Sequence, residues 1–337
     1  MRLLVLGGTR YLGRHLVAEA LRRGHQVTLF HRGRTHPDLF PAAERVLGDR
    51  EAAADLAALS GRRWDACVDT SGFVPRAVRA SAGALREAVG RYLFVSTISV
   101  YADGTRGGAT EDAALAPMPP GAAEVLAPET YGPLKALCEQ EAQRAFGERA
   151  WIVRPGLILG PEDATDRSGY WPRRMTRGGE LLAPGRPERP VQFIDARDLG
   201  AWMLDGLERG QHGVVHATGP AARLTMSEWL DACAAAAGLD PPRVWVDEAW
   251  LLDRGVGAFF ELPLWVPESE RMFGEVDCSR ALASGLRFRP ALETARDVLA
   301  WQRAQPEFPR GPQGTPERPA GMTAEREAEL LAAWRTR

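Results

Sequence analysis

The chain of 337 residues carries 42 basic and 44 acidic side chains mixed along its length, 45% hydrophobic residues and a formal net charge of −2. That length suits about two domains, or one large α/β unit with an appendage, and a balance without a basic stripe argues against nucleic acid as a partner. Cys67, Cys138, Cys233 and Cys278 are far apart, no apolar run approaches a membrane span, and asparagine is absent, so the expectation is a cytoplasmic protein with reduced thiols and no N-glycosylation.

Residues 2–6 read as a short strand whose apolar run, 3–6, is continuous as in a parallel strand covered on both faces. Gly7-Gly-Thr-Arg-Tyr-Leu-Gly13 follows, then a helical pattern with Leu12, Leu16, Val17, Ala20 and Leu21 on one side and Gly24 as its cap. A strand at 26–30 completes a βαβ start. Glycines at such a junction let the backbone turn tightly and approach a pyrophosphate at the helix N terminus. Gly7, Thr9, Arg10, Tyr11, Leu12 and Gly13 are therefore candidates for holding a dinucleotide. A site selecting NAD usually places a carboxylate after the second strand. Residues 26–37 contain no acid and offer His31, Arg32 and Arg34 instead. Guanidinium forks at Arg10, Arg32 and Arg34 suit a ribose 2′-phosphate, which favours NADP(H) and leaves NAD(H) as the alternative. The plainer reading of Arg32 and Arg34 is as solvated loop residues.

A third strand at 45–49 ends in Asp49, a candidate for an adenine amino group and equally for a helix cap. The strand at 66–69 leads into a loop containing Ser71, and such loops face the ligand crevice at the carboxyl ends of parallel strands. A helix at 75–89 and a strand at 91–96, ending in Ser96, continue the alternation of a doubly wound sheet. Next come Thr97-Ile-Ser99-Val-Tyr101 and, beyond a Gly/Pro/Ala-rich stretch, Tyr131-Gly-Pro-Leu-Lys135. Lys135 is the only lysine, beside 41 arginines. At positions i and i+4 a phenol and an ammonium share one helix face, which suggests an acid–base pair. A helix starting near Tyr131 would hold Pro133 in its first turn.

In this order the G-G-T-R loop, S-T-x-S-V-Y and Y-x-x-x-K resemble the extended short-chain dehydrogenase/reductase superfamily over about residues 1–305. Within it the chain is similar to bacterial epimerase/dehydratase-like proteins and to chloroplast stem-loop RNA-binding proteins. The resemblance implies an α/β, Rossmann-type doubly wound parallel sheet with a smaller C-terminal α+β substrate domain. The expected division is 1–157 plus about 191–218 for the cofactor, about 158–190 and 219–305 for the substrate, and 306–337 as a Pro/Gly-rich arm and terminal helix. It also implies Thr97 as the hydroxyl that orients the substrate oxygen, with Ser99 a weaker candidate. Tyr131 becomes the general acid/base, and Lys135 the group that lowers its pKa and holds the nicotinamide ribose. A unit charge about 4 Å away at an effective dielectric of about 20 is worth ~4 kcal/mol, or ~3 pKa units. Ile98 and Ser99 stand where sugar-nucleotide dehydratases carry an Asp-Glu pair, which argues against a 4,6-dehydratase. Val191 stands where the epimerases often hold a nucleotide diphosphate with arginine, and Arg189 is two residues off.

Residues 151–155 read as the sixth strand, with Pro155 in an R-P-x-x-x-x-G-P loop that the resemblance places beside the nicotinamide. Tyr170, Trp171 and Arg174 are expected to line or lid a substrate pocket, unless they belong to a solvated helix. His212 and His216 have metal spacing on a helix, but on a strand they lie about 13 Å apart, so no metal site is expected. A last helix begins at Thr323, docked on the body or on a partner subunit. The function expected is an NADP(H)-preferring oxidoreductase acting on a carbonyl or alcohol of a small molecule. The alternatives are a sugar or sugar-nucleotide epimerase with tightly bound NAD(P), and a non-catalytic RNA-binding or redox-sensing protein. A homodimer through the helices at 75–89 and 135–146 is implied by the resemblance.

Overall fold

Both faces of the first strand are buried: Leu3 and Val5 pack into the apolar layer on one side of the sheet, Leu4 and Leu6 into that on the other. The computed structural model describes residues 1–305 and 320–337. From the N terminus come β1 (Arg2–Leu6), α1 (Tyr11–Arg22), β2 (Gln26–His31), β3 (Glu44–Leu47), the short α2 (Ala53–Leu56), β4 (Trp64–Asp69), α3 (Pro75–Leu85), β5 (Val89–Val95), α4 (Pro128–Phe146) and β6 (Ala150–Pro155). The chain then leaves the sheet through β7 (Leu157–Leu159), α5 (Tyr170–Met175), β8 (Leu181–Pro184), β9 (Pro190–Val191) and β10 (Phe193–Asp195), and returns by α6 (Ala196–Arg209) to β11 (Gly213–Ala217). Beyond lie β12 (Leu224–Thr225), α7 (Met226–Ala237), β13 (Arg243–Val246), α8 (Glu248–Asp253), α9 (Ser279–Ala283), α10 (Ala291–Ala304) and α11 (Ala324–Arg335).

Seven strands form one parallel sheet in the order β11-β6-β5-β4-β1-β2-β3. On one face Leu16 and Val17 of α1 pack with Leu199 and Met203 of α6. On the other, Val78 and Leu85 of α3 pack with Cys138 and Phe146 of α4. This is the Rossmann-type α/β sheet that the alternating pattern implied. Chain order reverses between β1 and β4, and in such sheets the crevice outside the carboxyl ends at that point receives the ligand.

A second core gathers Trp171, Leu181, Trp229, Val246, Leu251, Ala295 and Leu331 from α5, β8, α7, β13, α8, α10 and α11. Thr323 caps α11 by accepting from the Arg326 amide at 3.2 Å. Of the alternatives for that helix, docking on the chain's own body is the one observed. The expected arm lies outside the described residues except for its last positions, 320 and 321.

Candidate active site

The turn from β1 to α1 is built from backbone that only glycine adopts easily, with φ of +100° at Gly7 and +88° at Gly8. A Cβ on Gly13 would lie 2.9 Å from the Gly8 Cα, so the loop sits flush on the first turn of α1. No side chain caps that helix and no acid stands in its first turn, which leaves its leading amides and positive end suited to an anion. Thr9 and Leu12 are buried in this packing, while the Tyr11 hydroxyl donates to the Ile158 carbonyl at 2.9 Å, tying the loop to β7. Arg10, Arg32 and Arg34 are exposed, and among the described residues none is ion-paired. His31 ends β2 with Nδ1 accepting from the Gly33 amide at 3.0 Å and Nε2 buried without a partner. Burial, with the nearby Arg45, lowers its pKa, so the imidazole is neutral. An orphaned buried nitrogen, an uncapped helix and a glycine cradle together fit a dinucleotide.

Asp49 takes the capping role: its Oδ1 accepts from the Glu51 amide at 3.0 Å. The residue after it was missed by sequence reasoning. Arg50 reaches inward to form two 2.6 Å bonds with the fully buried Asp69, which also accepts from the Tyr92 hydroxyl at 2.7 Å. Burial pushes the Asp69 carboxyl up, but the guanidinium outweighs it and the net shift is downward. The Ser71 hydroxyl, expected to face the cofactor, donates to the Leu6 carbonyl and accepts from Arg50, both at 3.1 Å.

Thr97 follows β5 in extended backbone, its Oγ1 accepting from the Ser99 amide at 3.1 Å and donating to the Ser99 hydroxyl at 3.2 Å. The Tyr131 phenol lies close enough to the same Thr97 hydroxyl for that group to lower its pKa. Gly132 makes this meeting possible, because a Cβ there would fall 2.0 Å from the Ser99 carbonyl oxygen. Helix α4 starts at Pro128 rather than near Tyr131, so Pro133 lies inside the helix. Thr130 stabilises the earlier start by accepting from the Ala127 amide at 2.9 Å. Tyr131 remains in the first turn.

Lys135 departs from expectation. Its ammonium, 3% exposed, donates to the carbonyls of Gly72 and Val95, both at 2.7 Å, and lies 4.1 Å from the Phe94 ring centroid. Burial lowers its pKa to about 8. The i, i+4 spacing aligns two side chains at their roots, but a four-carbon stem runs on to the strongest acceptors within reach, here at the carboxyl ends of β4 and β5. Tyr131 consequently feels no lowering from Lys135: burial raises the phenol above its ordinary value, opposed by the Thr97 hydroxyl and the charge of Arg167.

Ser96, 4% exposed, has its hydroxyl buried without a partner beside these groups, and Pro155 closes β6 next to Ala217. The residues expected to line a substrate pocket lie apart from Thr97 and Tyr131. Tyr170 and Trp171 are buried in the second core, and Arg174 spans both oxygens of Glu327 at 2.8 and 2.6 Å. A cavity of about 720 Å³ adjoins them, lined by Arg173, Arg174, Arg177 and residues 320–323, and touches neither Tyr131 nor the glycine loop. Sequence reasoning also passed over Arg167, whose charge acts on the phenols of both Tyr131 and Tyr11. Its only signal was position, a few residues before the aromatic pair that drew attention.

A glycine cradle and a hydroxyl–phenol pair at the carboxyl ends of one doubly wound sheet define a nicotinamide-dependent α/β enzyme. The pattern of the NAD dependent epimerase/dehydratase family matches residues 3–217, and the chain belongs to that family of NAD(P)-dependent enzymes. A curated relative, chloroplast stem-loop binding protein of 41 kDa b of Arabidopsis thaliana, is 24% identical over 259 residues, 72% of this chain and 65% of the relative. The match thus spans just under two thirds of that relative's length. Among solved structures, UDP-glucose 4-epimerase of Thermotoga maritima, with UDP-glucose, is 16% identical, with a TM-score of 0.68 over 91% of this chain and 100% of its own. The Bordetella bronchiseptica enzyme WbmG, in complex with NAD and UDP, is 17% identical, with a TM-score of 0.68 over 90% of this chain and 95% of its own. At these identities the likeness is one of fold.

Proposed function

We propose that this protein transfers a hydride between NADP(H) and a carbonyl or alcohol carbon of a small molecule, with the Tyr131 phenol as general acid and base. The observation that carries the reading is the close approach of α4 to the Thr97–Ser99 turn, which brings the Tyr131 phenol within the influence of the Thr97 hydroxyl at the same end of the sheet as the glycine cradle. A bound nicotinamide supplies or accepts the hydride. Gly7, Gly13, the first turn of α1 and Ser96 would hold it. The raised pKa keeps the Tyr131 proton in place at neutral pH, ready for delivery to the oxygen of a carbonyl being reduced. Thr97 steadies that oxygen, and Lys135, fixed by two carbonyls, contributes a buried positive charge with one donor to spare.

NADP(H) is preferred because the end of β2 carries no acid, while Arg10, Arg32 and Arg34 stand exposed around it. Fluorescence titration of NADPH and NADH tests this. NADPH is expected to bind about tenfold or more tighter, and Arg32→Ser with Arg34→Ser to erase the difference. Equal affinities, or tighter NADH, would refute it. A second reading, epimerisation of a sugar carbon through a retained cofactor, is supported by the family and by the fold shared with UDP-sugar epimerases. Protein purified with bound cofactor and showing no net NADPH consumption on any carbonyl would select it.

A further inference from the structure

Arg167 lies in a loop with three acids, and none of them takes its charge. Glu162 pairs with Arg14 at 2.9 Å, Asp163 accepts from Thr165 and Ser168, and Asp166 pairs with Arg173 and accepts from Gln302, both at 2.6 Å. Among the described residues no ion pair engages the Arg167 guanidinium, and its Nε is buried without a partner. The loop is held firmly. Glu162 and Asp166 adopt φ of +69° and +63°, conformations that non-glycine residues keep only where surroundings over-determine them. Ser168 accepts from the Gly160 amide at 3.1 Å and lies 3.4 Å from the Tyr11 hydroxyl, fastening the loop to the glycine cradle.

The cation nearest the place where an epimerase of this family would grip a nucleotide diphosphate is not available. Arg189 is 7% exposed and bonded to Glu268 and to the Val266 carbonyl at 2.6 Å, and Val191 is buried and apolar. A guanidinium on a firmly held loop, without an ion pair among the described residues and with its charge reaching the Tyr131 phenol, therefore stands in contrast to a spent one at the diphosphate position. Fork geometry and permanent charge make arginine the natural receptor for an oxyanion.

We infer that the substrate carries one oxyanion, a carboxylate or a phosphate monoester, close to the reacting carbon, and that Arg167 receives it. The inference rests on the hydride-transfer reading above. The test uses protein saturated with NADP⁺, its binding verified first, and isothermal titration with oxamate as the carboxylate probe, inorganic phosphate as the phosphate probe and oxamide as the neutral isostere. One of the two oxyanions is expected to bind wild type while oxamide does not, and the one that binds names the group. Arg167→Gln is expected to weaken that binding about tenfold to a hundredfold, with Arg167→Lys recovering part of it. Unchanged melting temperature and NADP⁺ affinity in Arg167→Gln show that the variant is folded. Equal binding to wild type and Arg167→Gln, no binding of either oxyanion to wild type, or tighter binding of UDP unaffected by Arg167→Gln would each overturn the inference. Failure of the cofactor itself to bind would instead overturn the hydride-transfer reading.

Discussion

Lys135 is the only lysine in the chain, and its ammonium is buried between two backbone carbonyls rather than against the Tyr131 phenol. Burial disfavours the charged form and brings its pKa from 10.5 to about 8. The charge is therefore complete well below pH 8, half present near pH 8 and lost above it, whereas the Tyr131 phenol stays protonated across the same range. Carbonyl reduction is expected to hold a plateau through neutrality and to fall above about pH 8. The pH profile of kcat/KM checks this, and an alkaline limb that persists unchanged in Lys135→Met would count against it. Folding stability has the opposite sign: with the folded pKa depressed, the cost of burying the ammonium is full below about pH 8 and fades toward pH 10.5. Tyr131 and Lys135 drew attention because they stand four residues apart on one helix, and Thr97 because it belongs to the S-T-x-S-V-Y motif that carries the family resemblance. Arg50 and Arg167 did not, since nothing near Arg50 in sequence announces Asp69, and three acids around Arg167 suggest pairings that the fold assigns to other residues.

The element that brings the site together is α4, and its approach to the chain after β5 depends on Gly132. A methyl group added there would meet the Ser99 carbonyl at 2.0 Å, so the helix has to move outward and take Tyr131 from Thr97. Gly132→Ala is expected to cost about 1–3 kcal/mol of stability and to lower turnover. Gly83→Ala in α3 is the control, because a Cβ there meets nothing within 4 Å, and removing a helical glycine is expected to add about 0.5–1 kcal/mol. Denaturant midpoints of both variants distinguish the outcomes, and a neutral Gly132→Ala would show that the close approach is unimportant. Sequence placed α4 three residues late because Gly132-Pro133 looks like a helix start. Thr130 and Pro128 supply a better one, and the proline is carried inside the helix.

At the scale of the molecule, two cores are joined by a chain that leaves the sheet after β6 and comes back at β11, and the terminal helix closes the second core. Glu327 of α11 accepts from Arg174, from Arg177 at 2.6 Å and from the Leu182 amide at 3.1 Å. Removing it leaves a buried guanidinium uncompensated, so Glu327→Ala is expected to destabilise by about 3–5 kcal/mol while NADPH affinity is retained. Chemical denaturation with a cofactor titration checks both parts. The parallel sheet was readable because strands buried on both faces leave continuous apolar runs. Trp171, whose aromatic character suggested a lining or lid, is fully buried in the second core, and Arg174, which borders the cavity, is held by a carboxylate there. The carboxylate that buries Arg174 comes from 153 residues further along the chain, and no local pattern carries that information. The proposed hydride transfer depends on the Tyr131 proton. Turnover of an NADPH-reducible carbonyl by Tyr131→Phe, measured beside wild type with NADPH affinity determined for both, is the most direct test. The rate is expected to fall about 10²- to 10⁴-fold with affinity unchanged; a variant that binds NADPH and turns over as fast as wild type would contradict the mechanism.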